Sequence, residues 1–225
     1  MVKKEMKENV IFVRPPKIAG SSIAQSLGLS GYRFARHLRI DPPTSGWIHF
    51  SHMHVPALVE AGLVSEEYYN SAFKFSFVRN PYDRLVSMFH YYKQWKLKKP
   101  SGEVVQRWEA GIETFLDWCR HIDSGPIPPL GTYSIWHNKQ HIQSGFNPQC
   151  YWFKDVELDF LGRFESIDED YKKLSGILGI PYVKLLRLRT TTHKHYEKYL
   201  CPESIEILNR IYGEDFEQLN YTLHN

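Results

Sequence analysis

The first apolar segment of the chain, Val10–Val13, is short, mostly β-branched and followed by an arginine, which is typical of a buried strand. Two prolines end it, because proline supplies no N–H to a sheet. A small, turn-prone segment follows Lys17, and apolar residues recur at helical spacing from Ile23 to Leu27. This pattern predicts a strand, a tight loop and a helix, in that order.

A second unit of the same kind begins where phenylalanines alternate at Phe73, Phe75 and Phe77, which predicts another strand. Arg79-Asn80-Pro81 ends it, since the residue before a proline leaves the helical region of backbone space. A helical stripe of large apolar residues follows, consisting of Leu85, Val86, Phe89, Tyr92 and Trp95.

Between the two units, residues 47–55 begin with alternation and contain His49, His52 and His54. Histidines at alternate positions on a strand end lie on one face. Zinc ligands, a general base and core histidines all fit this pattern. Zinc would need further ligands at suitable spacing, and neither an H-E-x-x-H motif nor a cysteine pair supplies them, so no metal site is expected. Residues 55–62 are predicted to form a short helix.

Two such units in succession predict an α/β fold, with a central parallel β-sheet flanked by helices. The chain has 225 residues, which suits a single domain over residues 1–225 with a core at about residues 10–221. In an open parallel sheet, ligands bind at the carboxyl ends of the strands. The loops that follow the predicted strands are therefore the candidate site.

The loop after the first strand has the composition of an anion site. It comprises Pro16, Lys17, Ile18, Ala19, Gly20, Ser21 and Ser22. Ser21 or Ser22 is expected to cap the helix, so that backbone N–H groups and the positive end of the helix dipole converge on one point. Lys17 adds a full charge beside it. The loop is not a Walker A motif, because G-x-x-x-x-G-K-[ST] is missing.

The second unit places the guanidinium of Arg79 at the carboxyl end of its strand, and Ser87 on the following helix is a candidate to face the same ligand. Bulk properties agree with an anionic ligand, since the net charge is +3 and the pI is about 8.6. That charge is too weak to indicate nucleic acid. No nucleic-acid partner is therefore expected.

The cysteines Cys119, Cys150 and Cys201 lie far apart and form neither a metal pattern nor an even-numbered disulfide framework. Reduced thiols favour the cytoplasm. The polar N-terminal residues and the short apolar run after them are unlike a signal peptide or a membrane span. A cytoplasmic protein without a membrane anchor is expected.

The two motifs together resemble the sulfotransferase superfamily. Pro16-Lys17-x-x-Gly20-Ser21-Ser22 and Phe77-Val78-Arg79-Asn80-Pro81-Tyr82-Asp83-Arg84-Leu85-Val86-Ser87 are most similar to its carbohydrate branch, which includes heparan sulfate 2-O- and chondroitin-type sulfotransferases and their bacterial relatives. Gln140, residues 159–166 and the C-terminal segments also resemble that family, so the likeness extends over roughly residues 10–221.

The resemblance implies a P-loop-NTPase-like sulfotransferase fold and 3′-phosphoadenosine 5′-phosphosulfate (PAPS) as co-substrate, with 3′,5′-adenosine bisphosphate (PAP) as product. The Pro16–Ser22 loop would hold the 5′-phosphosulfate, and Lys17 would neutralise the leaving phosphate. Arg79 and Ser87 would bind the 3′-phosphate. Arg189 and Thr191 are further expected nucleotide contacts.

Sulfuryl transfer also needs a base, because a sugar hydroxyl is a poor nucleophile at neutral pH. His52-Met53-His54-Val55 resembles a His-x-His-Val element of the 2-O-sulfotransferases. His54 is the expected base and His52 the supporting or alternative one, while His193 and His195 are rival candidates. A single in-line displacement without a metal is expected.

Two other functions fit parts of the sequence. One is a P-loop-like kinase of nucleotides or metabolites, and the other is a non-catalytic module that binds a nucleotide or an anionic glycan. The acceptor is expected to be a saccharide or glycoconjugate hydroxyl. The basic loop of Arg33, Arg36 and Arg39 and the aromatic segments would suit an anionic saccharide, a lipid headgroup or a phenol. Residues 96–133 carry no functional signature and are expected to affect substrate specificity.

Overall fold

The protein was analysed as a computed structural model, which describes residues 6–32, 43–94, 96–98, 104–106, 112–124, 132–134, 142–144, 146–188 and 190–225. In chain order, the elements are β1 (Val10–Phe12), α1 (Gly20–Ser26), β2 (Ser30–Gly31), β3 (Trp47–His49), α2 (Val55–Glu60), α3 (Glu66–Ser71), β4 (Phe73–Val78), α4 (Pro81–Lys93), β5 (Lys96–Lys98), β6 (Val104–Gln106), α5 (Phe115–Asp123), β7 (Thr132–Ser134), β8 (Ile142–Ser144), β9 (Phe160–Arg163), α6 (Ile167–Leu178) and α7 (Pro202–Gln218). Short 3₁₀ helices span Gln149–Phe153 and Tyr196–Tyr199.

Five strands form the central sheet in the order β2-β3-β1-β4-β9. All of the pairings are parallel, with Val10 opposite Trp47 in β3 and Phe73 in β4. The carboxyl ends of β1, β3, β4 and β9 consequently lie at one edge. This sheet, with the helices packed on it, confirms the α/β fold predicted from the two strand–loop–helix units.

Apolar side chains cover both faces of the sheet, because each buried strand points alternate residues to opposite sides. Val10 and Phe12 pack with residues of α1 and α6 on one face. Ile11 packs with residues of α2, α3 and the first 3₁₀ helix on the other. The rings of Phe12 and Phe75 stack across β1 and β4 with centroids 4.7 Å apart.

The chain separates into two compact units. The first consists of Met1–Arg79 and Tyr133–Arg189, and the second of Asn80–Thr132 and Thr190–Asn225. Within the second unit, α5 packs against α4 and α7. Two ion pairs join α5 to α7, Arg120–Glu203 and Arg210–Asp123, each at 2.7 Å. The single-domain organisation stays a prediction.

Two local expectations were wrong. The serines of the first loop do not cap α1, because Ala19 is the residue before the helix and adopts a left-handed conformation without a side-chain cap. The strand predicted to carry the histidines ends at His49. The left-handed φ of 53° at Ser51 marks the chain leaving the sheet before His52 and His54.

Among the described residues, none of the helices combines the length and apolar character that crossing a bilayer requires. The cytoplasmic location stays a prediction.

Candidate active site

The loop between β1 and α1 is held in a strained conformation. Lys17 and Ala19 have φ values of 69° and 62°, a region that costs a non-glycine residue about 1–3 kcal/mol. The side chain of Ile18 is fully buried and packs among residues of the sheet and of α1. This anchor offsets the strain and fixes the path of the loop. Strain of this kind is typical of functional sites.

The two serines at the start of α1 bind neighbouring segments instead of capping the helix. The hydroxyl of Ser21 accepts a hydrogen bond from Nη2 of Arg14 at 2.8 Å. The hydroxyl of Ser22 accepts one from the backbone N–H of Leu188 at 3.0 Å. Each serine therefore fixes a segment that comes from elsewhere in the first unit.

Gly20 is required at its position by close approach. A Cβ atom there would lie 2.9 Å from Cγ of Arg14, and its nearest neighbour would be Nε of the same arginine. The arginine side chain thus crosses directly over the loop. Any larger residue would displace it.

Arg79, the first residue after β4, contacts the same loop. Its Nη1 donates to the carbonyl oxygen of Lys17 at 3.3 Å, and its guanidinium lies 4.0 Å from the ring centroid of Phe164. The amide of Gln149 accepts from the Arg79 N–H at 2.9 Å and donates to the Arg79 carbonyl at 2.8 Å. The structure thereby brings together Lys17 and Arg79, which lie far apart in the sequence.

The two histidines after β3 have different surroundings. Nδ1 of the partly exposed His52 lies 3.0 Å from the carbonyl oxygen of Arg14. His54 is 8% exposed, and its Nε2 lies 2.8 Å from the carbonyl oxygen of Lys154. Because a carbonyl oxygen only accepts, each of these ring nitrogens carries the donated hydrogen. A neutral His52 then has its lone pair on Nε2.

His49, at the end of β3, is a further neighbour of the loop. Its Nδ1 accepts from the backbone N–H of Ser51 at 3.1 Å and lies 3.4 Å from Nη1 of Arg14. Nη1 of Arg14 also lies 3.5 Å from Nε2, and the bond donated by Ser51 favours the tautomer that carries its hydrogen on Nε2.

The remaining predicted residues belong to the second unit. Ser87 is buried, and its hydroxyl lies 3.4 Å from that of Thr191. Beside them, the rings of His90 and His193 stack with centroids 5.2 Å apart. Burial lowers the pKa of His90, helped by His193 and Lys93. The two hydroxyls predicted to contact the nucleotide are therefore close together.

Other sequence predictions lie outside the described residues. These are Arg189, Gln140 and the basic segment of Arg33, Arg36, His37 and Arg39. Residues 96–133 are described only in part. Among the described residues, no group of three or more histidine, cysteine or acidic side chains is arranged to hold a metal ion.

Sequence reasoning missed two residues of this site, Gln149 and Phe164, as well as the contact of His49 with Arg14. Gln149 and Phe164 reach Arg79 only because the 3₁₀ helix and the residue after β9 pack beside it. No periodicity or motif marks such contacts. His49 was noted as one of three histidines, but its contact with Arg14 depends on the pairing of β3 with β1.

The fold and the site define an α/β protein with a lysine-bearing loop after its first strand and an arginine held against that loop. A sequence profile of the sulfotransferase family matches residues 5–222, nearly the whole chain. The chain belongs to the sulfotransferase family, which confirms the resemblance to the superfamily inferred from the two motifs, while the carbohydrate branch stays a prediction.

Two individual proteins are similar to it. An uncharacterized protein of Archaeoglobus fulgidus is 25% identical over 149 residues, which cover 65% of this chain and all of the relative. The crystal structure of mouse sulfotransferase SULT7A1 complexed with PAP matches with a TM-score of 0.53 and 12% identity, covering 95% of this chain and 86% of the mouse chain. The second likeness supports the sulfotransferase fold.

Proposed function

We propose that this protein transfers the sulfuryl group of PAPS to a hydroxyl group of an acceptor. The contact between the Arg79 guanidinium and the carbonyl of Lys17 carries the proposal, because it unites the two motifs by which the chain resembles PAPS-dependent enzymes. The family match and the mouse structure with bound PAP support the same donor.

The Pro16–Ser22 loop would bind the 5′-phosphosulfate, with Lys17 beside the bridging oxygen. As the acceptor oxygen bonds to sulfur, the bond from sulfur to the phosphate oxygen breaks and negative charge develops on PAP. A lysine ammonium at that oxygen stabilises the charge, and one well-placed donor of this kind contributes about 3 kcal/mol. No metal is needed for this step.

We assign the 3′-phosphate to Arg79 and Ser87, with Thr191 and Arg189 as further nucleotide contacts. A doubly charged phosphate suits an arginine fork. Arg79 is 7% exposed and held by Phe164 and Gln149, so it loses little conformational entropy when the phosphate binds. This phosphate distinguishes PAPS from ATP and ADP.

The base that accepts the hydroxyl proton is one of the two histidines after β3. His54 is the base expected from the resemblance, but the surroundings of His52 suit the role better. A hydrogen bond from Nδ1 to the Arg14 carbonyl orients the ring and places the lone pair of the neutral form on Nε2, the atom that would accept the proton. His54, buried and bonded to Lys154, would then support the turn.

The acceptor is proposed to be a saccharide or glycoconjugate, because the two motifs resemble those of the carbohydrate branch. Donor and acceptor held in line would let the reaction proceed in one displacement, without a covalent enzyme intermediate.

The experiment that tests the donor is a calorimetric titration with PAP, with ADP and Mg-ATP as controls. We expect PAP to bind at least tenfold more tightly than ADP, and Arg79→Ala to abolish that preference, since an ionic hydrogen bond contributes about 1.5–3 kcal/mol. Lys17→Ala should weaken PAP binding, whereas removal of an exposed lysine on α6, Lys172→Ala, should leave it unchanged.

A chain that binds Mg-ATP more tightly than PAP would be a kinase rather than a sulfotransferase. Tight binding of PAP without transfer to any acceptor in a screen with labelled PAPS would favour the binding module. In that screen, His52→Gln and His54→Gln should both bind PAP normally, and the variant that loses transfer identifies the base.

A further inference from the structure

We propose that Arg14 is a positioning residue that couples the phosphosulfate loop to the histidine base. The inference rests on the proposed function, because it assigns Arg14 a task in that reaction. Two of its contacts involve the guanidinium and the third involves the backbone carbonyl. Together they join the start of α1, the end of β3 and His52.

The side chain of Arg14 connects two elements that the sheet alone does not hold together. Its Nη2 donates to the Ser21 hydroxyl at 2.8 Å, within the first turn of α1. Its Nη1 lies 3.4 Å from Nδ1 of His49, the last residue of β3. A planar fork serves two acceptors at once, which a lysine ammonium on a flexible stem does less well.

The backbone of Arg14 reaches the proposed base directly. Val13 is still bound to the sheet, since its N–H donates to the Phe75 carbonyl at 2.9 Å. Arg14 comes next, and its carbonyl accepts from Nδ1 of His52 at 3.0 Å. The position of this carbonyl depends on the side-chain anchors of the same residue, and the carbonyl selects the tautomer of His52 that has its lone pair on Nε2.

One residue therefore sets both the conformation of the donor loop and the orientation of the base. Gly20 agrees with this role, because only glycine leaves room for the arginine to cross the loop. Loss of the guanidinium should disturb two sites at once, the loop that binds the donor and the ring of His52. A residue that merely supports the fold would lower stability without moving the tautomer of His52.

Two measurements that need no acceptor test the coupling. The first is calorimetric titration of Arg14→Met with PAP, where we expect about tenfold weaker binding than in the unmodified chain. The second is the long-range ¹H–¹⁵N spectrum of ¹⁵N-histidine-labelled protein, with the His52 signals assigned by their loss in His52→Gln. The unmodified chain should show His52 protonated at Nδ1, and Arg14→Met should show a mixture of tautomers.

Lys172→Met, which removes one positive charge from the exposed side of α6, is the matched control and should change neither measurement. Compared with Arg14→Met, Arg14→Lys restores the positive charge but not the planar guanidinium. It should therefore recover part of the PAP affinity, while His52 remains a mixture of tautomers. If either PAP affinity or the His52 tautomer is unchanged in Arg14→Met, the coupling is refuted.

If Arg14→Met does not fold by circular dichroism, His49→Ala takes its place. This variant removes one contact of the guanidinium and leaves the loop, Arg14 and His52 intact. Weaker PAP binding and a mixture of His52 tautomers are again expected. Unchanged PAP affinity and an unchanged His52 tautomer in that variant would refute the coupling. The spectrum is recorded without nucleotide, so the His52 tautomer is measured independently of PAP binding. If the unmodified chain does not prefer PAP, the proposed function is refuted, and the tautomer result can still be interpreted.

Discussion

Gln149 lies outside both motifs and holds the backbone of Arg79, the residue proposed to bind the 3′-phosphate. Its fully buried amide satisfies the N–H and the carbonyl of Arg79 at 2.9 and 2.8 Å. Those peptide groups lie just beyond β4, and a buried polar group left without a partner costs about 1–3 kcal/mol. The amide therefore holds the backbone from which the Arg79 guanidinium extends.

We predict that Gln149→Leu lowers the preference for PAP over adenosine 5′-monophosphate by about tenfold, because this ratio reports the 3′-phosphate alone. The measurement is a pair of calorimetric titrations, with the free energy of unfolding recorded in parallel. Lys172→Met, an exposed change on α6, is the control and should leave the ratio unchanged. A loss of stability with an unchanged ratio would mean that Gln149 supports only the fold.

The residues of this site differ in how far the sequence could predict them. Lys17 was predicted because it lies in a turn-prone loop between a strand and a helix, and Arg79 because it directly follows a buried strand at the carboxyl edge of the sheet. Gln149 and Phe164 were not, because they approach Arg79 only after distant segments have packed. The role of Arg14 depends likewise on the crossing of its side chain over Gly20, which the order of residues does not indicate.

At the scale of elements, Asp170 joins β9 to α6. Its Oδ2 accepts from the Arg163 N–H at 2.9 Å and from the Ser166 hydroxyl at 2.8 Å, and its Oδ1 accepts from Lys173 at 2.9 Å. Burial acts to raise the pKa of Asp170, but these three donors and the charge of Lys173 hold that pKa below its ordinary value. The ionised carboxylate therefore stabilises the connection.

We predict that Asp170→Asn lowers the free energy of unfolding at pH 7 by about 2 kcal/mol. Because the folded-state pKa of Asp170 is lowered, its contribution is complete above the unfolded-state pKa of about 3.9 and is lost as the pH falls through the folded value. The difference in the free energy of unfolding between the variant and the unmodified chain should therefore decrease below about pH 4. Urea titrations at pH 7, 5 and 3 measure it.

Asp168→Asn, an exposed change in the first turn of the same helix, is the control and should cost less than about 1 kcal/mol. A loss in Asp170→Asn equal to that in the control would contradict the role of the carboxylate.

The periodicity of apolar residues predicted an element well where the pattern was long and ended at residues that break the element. Phe73–Val78 and Pro81–Lys93 form β4 and α4, and Asn80 caps α4 by accepting from the backbone N–H of Tyr82 at 3.0 Å. The short elements were less predictable. The capping of α1 and the end of β3 depend on left-handed backbone at Ala19 and Ser51, which tertiary contacts impose on residues that rarely adopt it.

At the scale of the whole molecule, nucleotide binding and unfolding are linked. A ligand that binds only the folded protein stabilises it by RT ln(1 + [L]/Kd), which is about 2.7 kcal/mol at a ligand concentration of 100 Kd. For a chain of this length, each kcal/mol raises Tm by about 2–4 °C. We therefore predict that PAP at 100 Kd raises Tm by roughly 5–10 °C, measured by differential scanning calorimetry.

The same scans test the prediction of a single domain. One cooperative transition that moves as a whole when PAP is added would support it, whereas two transitions of which PAP moves only one would show that the units unfold independently.

ADP at the same concentration should raise Tm less, because it lacks the 3′-phosphate, and Arg79→Ala should remove the difference between the two nucleotides. Equal shifts with PAP and ADP in the unmodified chain would refute recognition of the 3′-phosphate, and with it the proposed donor.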